Sequence, residues 1–195
     1  MSKAKLFKVY PIMLYSIANN KFIQNSYEEY DLENLENRLL IDNGYHTRIH
    51  KKCNYIFFGD LDGYRKDFND FINKLQQFLK KSYSIIISET DILYTKNDGK
   101  NGSYHYSIPK IYCSCEKLKE IHNKFRLQYA NDFTYKSKTS ITKCIDSTIY
   151  AEHWFRLPLQ SKESNKNTIH KIIKGTMKDF IIEYIPEYSK SIEYN

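Results

Sequence analysis

Glycine, proline and paired cysteines are scarce in this chain. Of its 195 residues, 6 are Gly and 4 are Pro, which is the composition of a globular domain and excludes a linker or a disordered segment. The 4 cysteines include one close pair, Cys113 and Cys115, but its spacing is not that of a zinc ribbon and no second pair follows. Free thiols in a reducing compartment are therefore expected.

Long apolar runs are also missing. No segment approaches the roughly 20 apolar residues that a membrane span needs. Residues 1–8 contain lysine but no apolar core followed by small residues, so no signal peptide is evident. The sequence therefore predicts a soluble intracellular protein with no membrane partner. Its length suits one domain, or two small modules that share a core.

Basic and aromatic residues are abundant. The formal net charge is +7, and 15% of the residues are aromatic, including 18 Tyr and 11 Phe. Such a surface suits a polyanionic partner, because Lys and Arg meet phosphates while aromatic rings stack on bases. The alternative is that the charge serves solubility and that the composition reflects AT-rich coding, which favours Lys, Asn, Ile and Tyr.

Apolar periodicity predicts interleaved helices and strands, and therefore an α/β or α+β fold. Helices are expected at residues 3–19, 27–40, 64–81, 115–130 and around 177–184. Strands are expected at residues 45–51, 53–62, 82–89, 104–112, 144–150 and 154–159, with the last two paired. Polar loops are expected at residues 95–102 and 133–143.

Asp60 and Asp62 follow an apolar run that is typical of a buried strand. Because side chains alternate along a strand, both carboxylates are expected on one face. Two carboxylates this close together are stabilised by a cation between them, so the pair predicts a divalent-metal site. The alternative is a plain Asp-Leu-Asp-Gly turn that closes the strand.

Two further short segments follow in order. The first places Ser103 and His105 on one face of a strand that begins after a Gly-bearing loop, and the second ends in Asp146. Three aspartates from two strands can hold two Mg²⁺ or Mn²⁺ ions about 4 Å apart, and Ser and His can grip a triphosphate beside them. Taken singly, the His has the alternative of a structural role and the Asp that of a turn or cap.

The ordered series Asp-hydrophobic-Asp, Ser-x-His and hydrophobic-Asp resembles the motif series of the archaeo-eukaryotic primase superfamily, which includes primase-polymerases. The third motif matches furthest. Its branch, that of herpesviruses, poxviruses and eukaryotes, has Asp-x-x-Val-Tyr, then Phe-Arg-Leu, then Lys, to which this chain is similar at Asp146, Tyr150, Phe155, Arg156, Leu157 and Lys162. The resemblance covers residues 45–185, and the Asn-, Lys- and Ile-rich composition further suggests a large DNA virus.

The resemblance implies an α+β primase catalytic core, in which helices flank a mixed or antiparallel sheet similar to that of RNA-recognition motifs. Residues 1–44 would form an N-terminal helical portion and residues 45–195 the catalytic core of one compact domain, as in the N-terminal part of a primase-helicase. The implied enzyme is a nucleotidyltransferase that makes primers with two Mg²⁺ or Mn²⁺ ions. Its implied partners are single-stranded DNA template, nucleoside triphosphates and a helicase domain or subunit.

The same resemblance implies roles for single residues. The catalytic metal ligands would be Asp60, Asp62 and Asp146. The nucleotide-binding residues would be Ser103 and His105 at the incoming phosphates, with Arg156 and Lys162 near the triphosphate or template. Weaker candidates for nucleic-acid contact are Arg48, Lys100, His153 and Lys171, each of which has the alternative of a solvated basic residue.

Two positions depart from the branch pattern. An Arg often precedes the Phe-Arg-Leu element, where this chain has Glu152 and His153. The Lys that often stands two residues before the Ser is replaced by Asn101, with Lys100 and Lys96 nearby. Both departures concern nucleotide affinity.

Two other functions were weighed against this interpretation. A non-catalytic nucleic-acid-binding module on a related sheet would not need its three aspartates. A rolling-circle nickase would need two histidines around one hydrophobic residue, whereas His105 lies between Tyr104 and Tyr106. The nickase motif is absent.

Overall fold

A computed structural model describes residues 5–11, 15–16, 21–22, 27–136, 141–161 and 168–192. The helices are α1 (Leu32–Ile41), α2 (Phe68–Tyr83) and α3 (Cys115–Gln128). The strands are β1 (Phe7–Pro11), β2 (Tyr15–Ser16), β3 (Lys21–Phe22), β4 (Glu28–Tyr30), β5 (Tyr45–Ile49), β6 (Asn54–Leu61), β7 (Leu93–Asn97), β8 (Tyr104–Ser114), β9 (Thr134–Lys136), β10 (Ile141–Lys143), β11 (His153–Arg156), β12 (His170–Lys174) and β13 (Lys190–Ser191). Helices and strands interleave, which confirms the α+β class.

A larger sheet is built around β6 and β8, which pair antiparallel from Asn54–Ser114 to Leu61–Tyr104. β7 pairs with the first half of β8, β12 pairs with β7, and β13 joins the second half of β8 in parallel. The sheet is therefore mixed and mainly antiparallel. Residues 55–58 of β6 are all buried, as in a strand that is covered on both faces.

The two faces of the larger sheet have different covers. Phe57 stacks on His122 of α3 with ring centroids 4.9 Å apart, whereas the next residue, Phe58, meets Phe155 of β11 at 5.0 Å. Because side chains alternate along β6, one face packs on α2 and α3 and the other faces the smaller sheet. Asp60, two residues after Phe58, leaves β6 on the side of the smaller sheet.

The smaller sheet has the strand order β11-β5-β1-β4. Its buried side chains form a second hydrophobic cluster with those of α1 and the C-terminal part of the chain: Phe7, Val9, Leu35, Leu39, Tyr45, Leu157, Met177 and Ile181. β1, from the first 44 residues, pairs with β5, so the sheet crosses the expected boundary between the helical portion and the catalytic core. The two portions therefore share a hydrogen-bonded sheet.

Helices α2 and α3 confirm the predictions at residues 64–81 and 115–130, with shifted ends. Each begins at a capping side chain: Asp67 accepts a hydrogen bond from the amide of Asn69 at 3.0 Å, and Ser114 accepts one from the amide of Lys117 at 3.2 Å. Helix α2 ends at Ser84, whose positive φ of 56° closes the last turn.

The helix predicted at residues 3–19 is wrong where the structure describes it. Phe7 and Val9 are buried while Lys8 between them is exposed, which is the alternation of strand β1. Much of the rest of this prediction, residues 3–4, 12–14 and 17–19, lies outside the described residues. The helix predicted at residues 27–40 begins only at Leu32, because Asp31 caps it and residues 28–30 form β4.

Two predicted strands are absent from their described positions. In residues 82–89, Ile85 and Ile87 are buried while Ile86 is 83% exposed, so the apolar alternation is real, but this segment packs on the core without a strand partner. Residues 144–150 make a single bridge between Ile145 and Leu61 and then turn. As a result, β11 pairs with β5 and not with residues 144–150.

Three further predictions need correction. The loop predicted at residues 95–102 begins inside β7, and the one at 133–143 contains the β9–β10 hairpin, whose residues 137–140 lie outside the described residues. The last predicted helix is a single 3-10 turn, Met177–Phe180. Thr176 and Asp179 cap its N-terminus with reciprocal hydrogen bonds. Within the described ranges, no helix has the length and apolar character needed to cross a membrane.

All four cysteines are free thiols, as predicted. Cys53 is exposed, whereas Cys113, Cys115 and Cys144 are buried. Burial raises the pKa of Cys115 and Cys144 to about 11, so both stay protonated and behave as small apolar side chains.

Candidate active site

Backbone pairing at the end of β6 brings the three aspartates together. The amide of Asp62 donates to the carbonyl of Cys144 at 2.7 Å, and the amide of Asp146 donates to the carbonyl of Asp60 at 3.2 Å. These bonds flank the bridge between Leu61 and Ile145. Although residues 144–150 are not a regular strand, they place Asp146 beside the acid pair.

Asp60, Asp62 and Asp146 line an open cleft of about 230 Å³ on the side of the smaller sheet. Five other residues predicted from the sequence line the same cleft: Lys100, Ser103, His105, His153 and Arg156. Two predicted residues lie apart from it: Arg48 lines a neighbouring groove, and Lys171 pairs with Asp98 at 2.6 Å. Lys162 lies outside the described residues.

Asp60 is the most perturbed carboxylate of the cleft. Burial raises its pKa to about 8, with smaller contributions in the same direction from Asp62 and Asp146. Its Oδ1 atom is buried without a hydrogen bond among the described residues, and Nε2 of His105 lies 3.9 Å from it. A buried carboxylate oxygen of this kind gains strongly from a cation.

The other two carboxylates have partners. Nζ of Lys100 donates to Oδ2 of Asp62 at 2.6 Å. Oδ1 of Asp146 accepts from the amide and the hydroxyl of Thr148 at 2.9 and 2.6 Å, in the turn that ends the bridge to β6. Asp146 is therefore fixed by its own turn, and Asp62 is held by a flexible ammonium group.

The oxygen donors fit Mg²⁺ or Mn²⁺ in kind, because both ions prefer carboxylates. As placed, however, no three His, Cys, Asp or Glu side chains of the described residues stand close enough together to hold an ion. The Lys100 ammonium supplies the positive charge beside Asp62. A metal ion would have to take over that role.

A tight turn between β7 and β8 places Ser103 and Lys100 at the cleft. The amide of Asn97 donates to the carbonyl of Ser103 at 2.9 Å, and the side chain of Asn97 accepts from the amide of Gly99 at 2.9 Å. Gly102 has a φ of +70°, and a Cβ there would overlap the backbone of Tyr64. The turn therefore requires glycine at this position.

His105 lies directly across the β6–β8 ladder from Asp60. Its ring stacks on that of His170 with centroids 3.7 Å apart and contacts Phe155 at 4.6 Å. Nδ1 of His170 is 3.0 Å from the hydroxyl of Thr95. His105 is thus held between two rings with its edge towards the acid cluster.

Arg156 provides a buried positive charge in the cleft. One of its Nη atoms donates to the carbonyl of Thr168 at 2.8 Å. Burial lowers its pKa, while the carboxylates of Asp60 and Asp62 act in the opposite direction. Arg156 therefore lies within the field of the acid pair.

Behind the acid pair, Gly59 allows a buried tyrosine to approach β6. A Cβ on Gly59 would overlap the ring and hydroxyl of Tyr106. The hydroxyl of Tyr106 is 2.8 Å from Nε2 of His122, and Nδ1 of His122 is 2.8 Å from the carbonyl of Leu118. Burial lowers the pKa of His122 to about 4, so this histidine is neutral and serves as a structural link between β8 and α3.

Sequence reasoning missed several residues of the cleft. His46, Asn97 and Trp154 line it, and so does His170. His46 carried a usable signal, because it stands two residues before Arg48 on a correctly predicted strand. Asn97 fell in a predicted loop, and His170 stands in a basic segment that could equally be a solvated turn.

Comparison with known proteins finds no matching family model and no matching curated protein. The geometry of the cleft and the order of its motifs are therefore the basis of the functional assignment.

Proposed function

We propose that this chain is the catalytic domain of a DNA-dependent primase or primase-polymerase, similar to the archaeo-eukaryotic superfamily. The observation that supports this proposal is the convergence of Asp60, Asp62 and Asp146 in one cleft with Ser103 and His105. These residues come from three motifs that are far apart in the sequence. A plain turn at Asp60 and Asp62 would not explain why the other two motifs lie beside it.

The reaction is nucleotidyl transfer. A 3′-hydroxyl attacks the α-phosphorus of a nucleoside triphosphate, the new P–O bond forms, the bond to the β-phosphate oxygen breaks, and pyrophosphate leaves. Asp60, Asp62 and Asp146 would hold two Mg²⁺ or Mn²⁺ ions, which when bound neutralise charge on the attacking and leaving oxygens. The hydroxyl proton passes to solvent. No protein general base is required, because positioning and charge neutralisation carry most of the rate enhancement.

The remaining cleft residues act on the triphosphate. Arg156 and Lys100 supply positive charge, and charge-assisted hydrogen bonds to phosphate are about twice as strong as neutral ones. Ser103, in the turn before β8, and His105, opposite Asp60 on β8, donate to phosphate oxygens. Since the cleft of about 230 Å³ is smaller than the range of roughly 300–1,000 Å³ that small-molecule sites occupy, it encloses the phosphates and leaves the base outside.

The proposal is tested by incubating the protein with single-stranded DNA, labelled nucleotides and Mn²⁺ or Mg²⁺. Wild type is expected to make short primers or to extend an annealed one. Asp60→Ala and Asp146→Ala are expected to reduce product to background, whereas Lys124→Ala, on an exposed face of α3, serves as the matched control and retains it. Equal product from the two aspartate variants and wild type would refute the assignment.

The alternative is a non-catalytic nucleic-acid-binding module of a replication protein. The ion pair between Lys100 and Asp62 favours it, because the acid cluster is partly neutralised without a metal. This alternative predicts that wild type binds single-stranded DNA but makes no product with either ion. It also predicts that Asp60→Ala binds DNA as well as wild type does.

The primase proposal extends to the surroundings of the reaction. Its process is DNA replication, as in a large DNA virus, and its further partner is a helicase domain or subunit. The free thiols suit a reducing intracellular compartment. Co-purification with a helicase would test this part separately from catalysis.

A further inference from the structure

A second groove opens beside the cleft, where β1 and β5 diverge. The two strands pair only at Tyr10–His46 and Pro11–Tyr45. Beyond these pairs lies an open space of about 560 Å³, lined among others by Lys5, Lys8, Tyr10, Arg48, His50 and Glu183. Four of these six side chains are basic residues and one is acidic.

The exposed face of the smaller sheet continues this groove with aromatic rings. Phe7, Val9, Ile49 and Phe155 point into the core, so the alternate residues Lys8, Tyr10, Arg48 and Trp154 share the opposite face. The rings of Tyr10 and Trp154 meet edge-on with centroids 4.6 Å apart. The guanidinium of Arg48 lies 5.8 Å from the Trp154 ring, across a directly paired position of β5 and β11.

The groove is continuous with the cleft through Trp154. This side chain lines the cleft that contains the three aspartates, and it contacts both Tyr10 and Arg48 of the groove. Among the described residues, Trp154 thus links Tyr10 and Arg48 of the groove to the cleft that holds the acid cluster. The cleft alone is too small for a nucleic-acid strand.

Acidic residues lie beside the basic side chains of the groove. Glu152 lies 3.6 Å from Arg48 and 3.1 Å from His50, and Glu29 lies 3.7 Å from Lys8. These pairs are solvent-exposed, and exposed pairs contribute only about 0–1 kcal/mol. Because these exposed pairs hold their side chains only weakly, phosphates can take the place of the carboxylates. Glu183 is mostly buried, and its carboxylate accepts from the hydroxyl of Thr47 at 2.6 Å.

We propose that this groove binds a single strand of DNA and leads it into the cleft. Bases stack on Tyr10 and Trp154, while Lys8 and Arg48 contact phosphates. Single-strand sites combine aromatic platforms with a basic groove in this way. The role of the strand as a template rests on the proposed function, whereas its binding requires no catalysis.

The test uses Trp154, which is the one tryptophan of the chain. Its fluorescence is recorded while single-stranded oligothymidylate is added in the presence of a chelator, so that no transfer takes place. Stacking of bases is expected to quench the emission and to saturate. A duplex of the same length is expected to bind more weakly, because its bases are not available for stacking.

Two variants and a matched control localise the binding. Tyr10→Leu is expected to weaken binding about 5- to 100-fold, the equivalent of one lost stacking platform. Arg48→Ala is expected to reduce the slope of log affinity against log salt by about 0.7, as for one lost phosphate contact. Lys124→Ala should change neither the affinity nor the salt slope. It is a matched control because Lys124 also lies over a ring, that of Tyr83 at 5.8 Å, and pairs with an acidic residue.

The outcomes separate this proposal from the primase proposal. The proposed DNA-binding role of the groove would be overturned if the oligonucleotide did not quench the emission of Trp154. It would also be overturned if Tyr10→Leu kept the wild-type affinity and Arg48→Ala the wild-type salt slope. The primase function would survive that result if Asp60→Ala still abolished transfer. Conversely, quenching that is lost in the groove variants supports the groove even if wild type makes no primers. Arg48→Gln, at a half-exposed position, replaces Arg48→Ala if the latter loses its far-ultraviolet circular dichroism.

Discussion

Replacing Asp60 by Asn is expected to stabilise the protein at neutral pH. Burial, with Asp62 and Asp146, raises the pKa of Asp60 from 3.8 to about 8. A pKa difference of one corresponds to about 1.4 kcal/mol, and at pH 7 the folded protein keeps a proton on Asp60 that the unfolded chain has released. Relative to low pH, Asp60 therefore lowers the free energy of unfolding by at most about 4 kcal/mol at pH 7. Asn has nearly the same shape and carries no charge to bury.

The sign of the pH dependence follows from the direction of this shift. Because the folded-state pKa of Asp60 lies above its unfolded value, the folded protein binds more protons than the unfolded one. The contribution of Asp60 to stability is therefore fully present below pH 4 and is lost as the pH rises towards 8. The advantage of Asp60→Asn should be small in acid and grow across this range.

Urea unfolding at about pH 5 and about pH 8, with a chelator present, measures the difference. Asp98→Asn is the matched control, because Asp98 is an exposed carboxylate whose partner is Lys171. Its stability should differ from wild type by no more than about 1 kcal/mol. If Asp60→Asn were no more stable than wild type at the higher pH, or if its advantage did not depend on pH, the electrostatic description of the cleft would be wrong.

Three further substitutions test the surroundings of the cleft. Lys100→Ala removes a cation that lowers the pKa of Asp60, so stability should fall more at about pH 8 than at about pH 5 in urea unfolding. Gly102→Ala places a side chain at a φ of +70° against backbone atoms, and thermal unfolding should show a loss of at least about 1–3 kcal/mol. Tyr106→Phe leaves the buried ring nitrogen of His122 without its partner, and urea unfolding should show a loss of about 1–3 kcal/mol.

Each of these substitutions has a control or a contradicting result. Lys124→Ala removes an ion-paired lysine on α3 and should lower stability equally at both pH values. Tyr188→Phe changes a tyrosine that is 64% exposed and should stay within about 0.5 kcal/mol of wild type. A Gly102→Ala protein as stable as wild type would mean that the turn can relax away from Tyr64.

The parts of the fold that could be predicted are those with strong local signals. Helix α2 has an apolar face and polar caps, and β6 has a continuous apolar run, so both follow from periodicity. The segment at residues 82–89, which was predicted as a strand, shows an apolar alternation, yet its apolar residues are buried without strand pairing. Such a pattern therefore indicates which residues are buried, but it does not indicate that the segment pairs as a strand.

Several candidate residues line one cleft, although the elements that carry them differ from those predicted. Asp146 lies beside Asp60, as expected, although residues 144–150 form a turn that follows one bridge and not a strand. Backbone hydrogen bonds to β6 fix its position, and the sequence carries no signal for these. His170 and Asn97 enter the cleft through pairing between distant strands, which periodicity within one segment does not reveal.

The cleft takes its side chains from β5, β6, β7, β8, β11 and β12, which are separated by long stretches of chain. Contacts between distant segments form late in folding, because the entropy of loop closure must be overcome first. We therefore expect Asp60 and Asp62 to keep their water until the smaller sheet docks, so that the cost of burying their charge arises at that step. We expect the final docking to be slower at high pH and faster when a divalent cation is present.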